Sequence, residues 1–93
     1  MSFHLKDPGS RIDYELDWTG IARAGQTIAE SSWTAEPAEP GGLAIESDSF
    51  EALTGKVRIS GGVAGHVYTL TNHVTFSDAA IDQRSVTVRV EER

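Results

Sequence analysis

Val67-Tyr68-Thr69-Leu70-Thr71-Asn72-His73-Val74-Thr75-Phe76 is the most regular stretch of this chain, and its period is two. Tyr68, Leu70, Asn72, Val74 and Phe76 share one face, and Thr69, Thr71, His73 and Thr75 share the other. That is the signature of a strand with one buried face and one β-branched face turned to water. Gly61, Gly62 and Gly65 precede it as a glycine-rich corner, and Ser77, Asp78, Ala79 and Ala80 follow it as a turn.

The same period recurs outward in both directions. Val86, Val88 and Val90 alternate with Thr87 and Arg89 in a last strand. Upstream, Val57 and Ile59 alternate with Lys56 and Arg58, and Leu43 and Ile45 permit a short strand over residues 43–47. Asp48 followed by Glu51 offers a capping box for one helical turn instead, but an extended edge segment is the favoured reading. Residues 37–42 hold two prolines and two glycines and must be a loop. Residues 26–34 read as a strand in which Ile28 and Trp33 differ in parity, so a bulge or bend lies between them. Ile12, Tyr14, Leu16 and Trp18 alternate with Asp13, Glu15 and Asp17 in a strand with one wet face, entered through the Asp7-Pro8-Gly9 turn.

Six to seven short strands at a spacing of roughly 8 to 12 residues, without a helical pattern, predict an all-β fold. Tyr68 follows the glycine corner and precedes Leu70 by two residues, which matches a tyrosine corner with an aliphatic in place of the usual second cysteine. The expectation is an immunoglobulin-like antiparallel β-sandwich of about seven short strands, forming one domain over residues 1–93. Its core should include Trp33, Tyr68, Leu70, Asn72 and Val88. Trp18 either caps the core, the favoured reading, or stands at a rim as an interface anchor. Phe3 and Leu5 belong either to a first edge strand or to an arm that joins a neighbour's sheet, which makes Phe3 a second interface candidate.

Composition narrows the function. A chain of 93 residues with 39% hydrophobic and 24% charged side chains is an ordinary globular domain. It carries eight basic and fourteen acidic residues, net −6, which argues against a nucleic-acid partner, because phosphate binding runs on clustered positive charge. Residues 1–51 hold net −7 and residues 52–93 net +1, so one sequence half is acidic. There is no cysteine, hence no disulfide, thiolate zinc site or cysteine nucleophile. No apolar run approaches the roughly 20 residues of a membrane span, and no signal-peptide pattern opens the chain, so no membrane partner is expected.

Chemistry is poorly provided for. No Gly-x-Ser-x-Gly elbow occurs, and His4, His66 and His73 show no metal-ligand spacing. Asp13, Glu15 and Asp17 share a strand face, but neighbours roughly 6.5 to 7 Å apart are too wide for one calcium ion, so a solvated face is the better reading. The expectation is a non-enzyme without cofactor or metal.

The order of short pieces along the chain carries a resemblance. Lys6-Asp7-Pro8 opens onto the strand over residues 14–18. Thr27-Ile28-Ala29 with Ser31-Ser32-Trp33 comes next, then Ser60-Gly61-Gly62 with Ala64-Gly65. Tyr68-Thr69-Leu70-Thr71-Asn72 follows, and Asp82-Gln83-Arg84-Ser85 precedes the valine strand. Taken together these resemble the small phage and prophage fiber-tail adaptor proteins, over nearly the whole chain. The resemblance implies an immunoglobulin-like, non-enzymatic virion component, assembled in the host bacterial cytoplasm, that acts at the tail or its attachment to other virion parts. Its partners would be other virion proteins of tail, connector or fiber, and exposed strand edges would suit a homo-oligomeric ring. It brings no catalytic residue, and its matching positions imply scaffold roles: Trp33 and Tyr68 in the core, Asn72 hydrogen-bonding inside the sandwich. Residues 19–24 and 37–42 depart from the pattern, and His73 stands where an arginine is expected. The alternative from another class is a secreted or cell-surface immunoglobulin-like module of carbohydrate- or adhesin-binding type, against which the absence of an export signal weighs.

Overall fold

The computed structural model describes residues 2–92, with side chains from position 4 onward. Seven strands follow in chain order: β1 (Ser2–Lys6), β2 (Arg11–Asp17), β3 (Ile28–Glu36), β4 (Leu43–Glu51), β5 (Thr54–Gly61), β6 (Val67–Phe76) and β7 (Ile81–Val90). There is no helix among the described residues. One sheet has the order β1-β7-β6-β3 and the other β2-β5-β4. The fold is therefore the all-β, immunoglobulin-like sandwich that the two-residue period predicts.

Two details refine that expectation. The pairing is antiparallel except that β1 runs parallel to β7, with Ser2 opposite Val86 and Lys6 opposite Val90. The reason is the Asp7-Pro8-Gly9 turn, which carries the chain from one sheet to the other, so that β1 and β2 never pair. The parity conflict in β3 is resolved by a register irregularity between Ile28 and Glu30 against β6. β4 is extended through Asp48 and Glu51 rather than helical, and it forms the edge of its sheet with a second irregularity between Ile45 and Ser47. Such breaks, together with acidic side chains, blunt an edge that would otherwise template further strands.

The inward faces meet in one core. Trp33, Tyr68, Leu70 and Val88 are buried there with Leu16, Ile28, Val57, Ile59, Val74, Phe76 and Val90. The Tyr68 hydroxyl oxygen accepts a hydrogen bond from the Val63 N–H at 3.0 Å, closing the tyrosine corner. Trp18 corrects the interface alternative in favour of the core, because it is fully buried. The chain leaves β2 at Asp17 and turns the indole between the sheets, edge-on to Phe76 with 5.8 Å between ring centroids. Arg84 screens it from solvent, 5.7 Å above the ring and donating to the Asp17 carbonyl at 3.1 Å.

Asn72 is the polar centre of this core and fully buried. Its Oδ1 accepts from Trp18 Nε1 at 2.9 Å, and its Nδ2 donates to Ser31 Oγ at 2.9 Å and the Ser32 carbonyl at 3.0 Å. A single amide thus ties β6 to β3 and to the segment leaving β2. Gly55 makes room for it: a Cβ there would lie 2.5 Å from Asn72 Oδ1.

Candidate protein-interaction site

Three connections gather at one end of the sandwich: residues 18–27, the tight β4–β5 turn at 52–53, and residues 77–80. Backbone hydrogen bonds cross-tie them, from Trp18 N to Leu53 O at 2.8 Å, Ile28 N to Ala52 O at 2.8 Å and Ser77 N to Thr27 O at 2.7 Å. Gln26 adds a side-chain tie that sequence reasoning missed. Its Oε1 accepts from Arg23 N at 2.7 Å, and its Nε2 donates to Asp78 Oδ2 at 2.7 Å. That bond, with the Ala80 N–H on the other oxygen, holds the Asp78 carboxyl below its usual range. Nothing in a lone Gln before a strand signals such a bridge; only the fold brings position 78 beside it.

These ties hold up two apolar side chains that the core does not use. Ile81 is 80% exposed and Ile21 47% exposed. They flank a groove of 270 Å³ whose floor and rim include Phe76, Ala80, Arg23 and Asp82. An apolar pair with a polar rim on a braced loop end has the anatomy of a protein-binding hot spot.

The two broad faces differ sharply in charge. On the outside of β2 and β5 the register sets Arg11 against Ser60, Asp13 against Arg58, Glu15 against Lys56 and Asp17 against Thr54. Arg58 grips Asp13 with two bonds of 2.8 and 3.2 Å and holds its carboxyl below the ordinary range. Arg11 pairs with Glu46 on β4 at 2.8 Å. A shallow depression of 530 Å³ lies over this face, lined by Asp13, Glu15, Asp48, Lys56 and Arg58. The outside of β6 and β7 sets Val67 against Arg89, Thr69 against Thr87, Thr71 against Ser85, His73 against Gln83 and Thr75 against Ile81. Its one fixed charge, Arg89, is paired with Glu91 at 2.7 Å.

The opposite end of the molecule is a structural latch. Lys6 is 1% exposed, and its ammonium donates to the carbonyls of Asp7, Ser10 and Gly61 at 2.7 to 2.8 Å. Burial lowers its pKa, against the pull of Asp7. Glu39 Oε1 accepts from the Tyr68 hydroxyl at 2.9 Å and pairs with His66 Nδ1 at 2.6 Å, and these bonds hold its carboxyl down. Burial, with Glu39 beside it, pushes the Tyr68 phenol up. Neither Lys6 nor Glu39 stands out in sequence as a buried or bridging group.

The structure brings Trp33, Tyr68, Leu70, Asn72 and Val88 together in the core and places Trp18 there with them. Phe3 lies in β1 opposite Thr87, but its side chain is outside the described ones. Among the described residues no group of three or more His, Asp and Glu gathers to hold a metal ion.

With that geometry in hand, comparison with known proteins gives a family. The family model for podophage GP4 fiber-tail adaptor protein gp77 matches residues 6–89, and the chain belongs to that family, a family of phage tail structural proteins. Among solved structures it is similar to the PKD domain of the KIAA 1837 protein, with a TM-score of 0.60 and 21% identity. That match covers 100% of this chain and 83% of the other, and it bears on the fold alone. No curated protein matches.

Proposed function

We propose that this fiber-tail adaptor family member is a non-enzymatic assembly module. It joins tail, connector or fiber proteins of the virion through protein–protein contacts made in the host cytoplasm. The observation that carries this reading is the loop end, where Ile21 and Ile81 stand out from a scaffold braced by Gln26, Asn72 and three connections. Preorganisation of this kind lowers the ordering cost of docking, so a small apolar patch can bind firmly. Membership of the family supports the tail setting, and the loop end supplies a surface through which an adaptor acts.

The test is complementation of a phage or prophage deleted for this gene, with particles purified and the chain quantified by mass spectrometry. Ile81→Asp and Ile21→Asp should leave the melting temperature of the isolated chain unchanged and sharply reduce its copy number in particles. Burying one isoleucine is worth ~1.5 to 3 kcal/mol, so losing it should weaken docking by about ten-fold or more. Full incorporation of both variants would refute the loop end as the docking site.

A further inference from the structure

Strand β7 is ten residues long, and one of its two edges is only half taken. β6 pairs with it from Ile81 to Arg89, whereas β1 covers the other edge only from Val86 to Val90. Along Ile81, Asp82, Gln83, Arg84 and Ser85 no strand lies beside that second edge among the described residues, and all five are exposed. The hydrogen bonds fix which backbone groups look into the vacant lane. In an antiparallel ladder, residues that bond the neighbouring strand alternate with residues that bond away from it. At the two ends of the β6–β7 ladder, Ala80 O accepts from Phe76 N at 2.8 Å and Val90 N donates to His66 O at 3.0 Å, so the even-numbered residues of β7 face β6. The odd-numbered ones face the other way, as Glu91 does in donating to Lys6 O at 2.9 Å. Ile81, Gln83 and Ser85 therefore aim their N–H groups into the lane that β1 leaves vacant. Gln83 N–H donates there to Asp82 Oδ1 at 2.8 Å. A carboxylate from the next residue thus stands where the carbonyl of an added strand would lie.

We infer that this half-edge is a strand-addition site, on which a short extended segment of a different virion protein continues the β1 lane and bonds main chain to main chain with β7.

The inference rests on the loop end as the docking site and names the bonding used there. In strand addition the main chain supplies affinity, and pockets for alternate side chains supply specificity. Both parts are in place. A residue set opposite Asp82 shares its face of the sheet, and the groove of 270 Å³ at that position, lined by Ile21, Phe76, Ile81 and Asp82, takes an apolar side chain. The edges formed by β3 and β4 are less suited, because each is broken by a register irregularity and carries acids, Glu30 and Glu36 on one and Glu46, Asp48 and Glu51 on the other. Charge and geometry define the occupant. A net charge of −6, with Asp82 at the lane itself, opposes an acidic segment. Ser2, opposite Val86, closes the lane at one end, so it holds a short segment and not a long strand. Pairing β7 with β7 of another copy, Gln83 against Gln83, would set Ala80 over Val86, where Ser2 already lies.

Gln83→Pro tests the inference, because proline removes an N–H that takes no part in the β6–β7 ladder and is tolerated on a free edge. In a phage or prophage deleted for this gene and complemented with each variant, the copy number in particles is read by mass spectrometry. Gln83→Pro should fall about ten-fold or more, and Gln83→Ala, which keeps the N–H, should stay at the wild-type level. Circular dichroism melts of the isolated chains check that both variants fold. Amide hydrogen exchange of the wild-type chain needs no variant: peptides covering residues 81–85 should exchange about ten-fold or more slowly in particles than in the isolated chain. Full incorporation of Gln83→Pro, or equal exchange in the two settings, overturns the inference. So does loss of Gln83→Ala together with Gln83→Pro, since a side chain would then be what the partner reads. If Ile21→Asp and Ile81→Asp are lost from particles while Gln83→Pro is incorporated, the loop end stands and strand addition falls; incorporation of all three removes both.

Discussion

Replacing Asn72 with leucine tests whether the buried amide is a structural clamp. The two side chains share a branched shape but leucine is the larger, so no cavity opens and crowding against Gly55 adds to the loss. What disappears is an acceptor for Trp18 Nε1 and the donors to Ser31 Oγ and the Ser32 carbonyl. Trp18 is fully buried, so its N–H would be stranded at a cost of ~1 to 3 kcal/mol. The Ser32 carbonyl adds a smaller penalty of the same kind, and the extra apolar burial of the introduced isobutyl group offsets part of the sum. The expected net loss is ~2 to 4 kcal/mol. For 93 residues the unfolding entropy is about 0.2 kcal/mol per degree, so the melting temperature should fall by ~10 to 20 °C. Circular dichroism melts and urea titrations of wild type, Asn72→Leu, Trp18→Phe and the double variant give the coupling. Trp18→Phe deletes the stranded donor, so it should cost clearly less in the Asn72→Leu background than alone. A stability change for Asn72→Leu under ~0.5 kcal/mol, or additive single effects, would refute the clamp.

Gly55→Ala should destabilise by ~1 to 3 kcal/mol, because its new Cβ would meet Asn72 Oδ1 at 2.5 Å. The same substitution should cost much less once Asn72 is alanine, and equal costs in both backgrounds, read from urea melts, would discard the explanation. Acid should also destabilise the fold. Asp13 is held down by Arg58, Asp17 by Thr19, Glu39 by Tyr68 and His66, and Asp78 by Gln26 and the Ala80 N–H. Each depressed folded pKa means that the unfolded chain binds protons first as pH falls. The stability these groups contribute is therefore complete above the ordinary carboxylate range and is lost as pH drops through their folded values. Melting temperatures measured from about pH 7 to about pH 2.5 should decline below about pH 4.5, with a shallower decline in Glu39→Gln and Asp78→Asn; a flat profile contradicts the assignments.

The sandwich was legible because alternation is local. β6 runs over the ten residues that its two-residue period marks, and Tyr68 lies where the glycine corner puts it. The bulge in β3 was legible too, since Ile28 and Trp33 cannot share a face without one. What sequence hides is the partner of a polar group. Trp18 looks the same whether its indole meets water or Asn72, and the answer depends on a residue 54 positions away. In β1 the alternation is inverted, with Leu5 exposed and the charged Lys6 buried, and only three carbonyls converging from Asp7, Ser10 and Gly61 make that tolerable. Gln26 and Glu39 are hidden for the same reason, each being a bridge between connections distant in the chain.

The charge asymmetry changes meaning once the topology is known. Along the chain it is a gradient, net −7 over residues 1–51 and +1 over residues 52–93. The immunoglobulin-like topology folds that gradient into two faces. β2 and β4, both from the acidic half, go into one sheet, and six acids go with them: Asp13, Glu15, Asp17, Glu46, Asp48 and Glu51. β5 runs between them and supplies Lys56 and Arg58, which pair with Glu51 and Asp13. β6 and β7 come from the other half and lie side by side in the second sheet, where twenty residues hold only Asp82, Arg84 and Arg89 as charges. Solubility requires charge somewhere on a small domain, but it does not require that one face have almost none. A face whose central strands are nearly clear of charge, on a chain this acidic, is the one where docking would have the least desolvation to overcome.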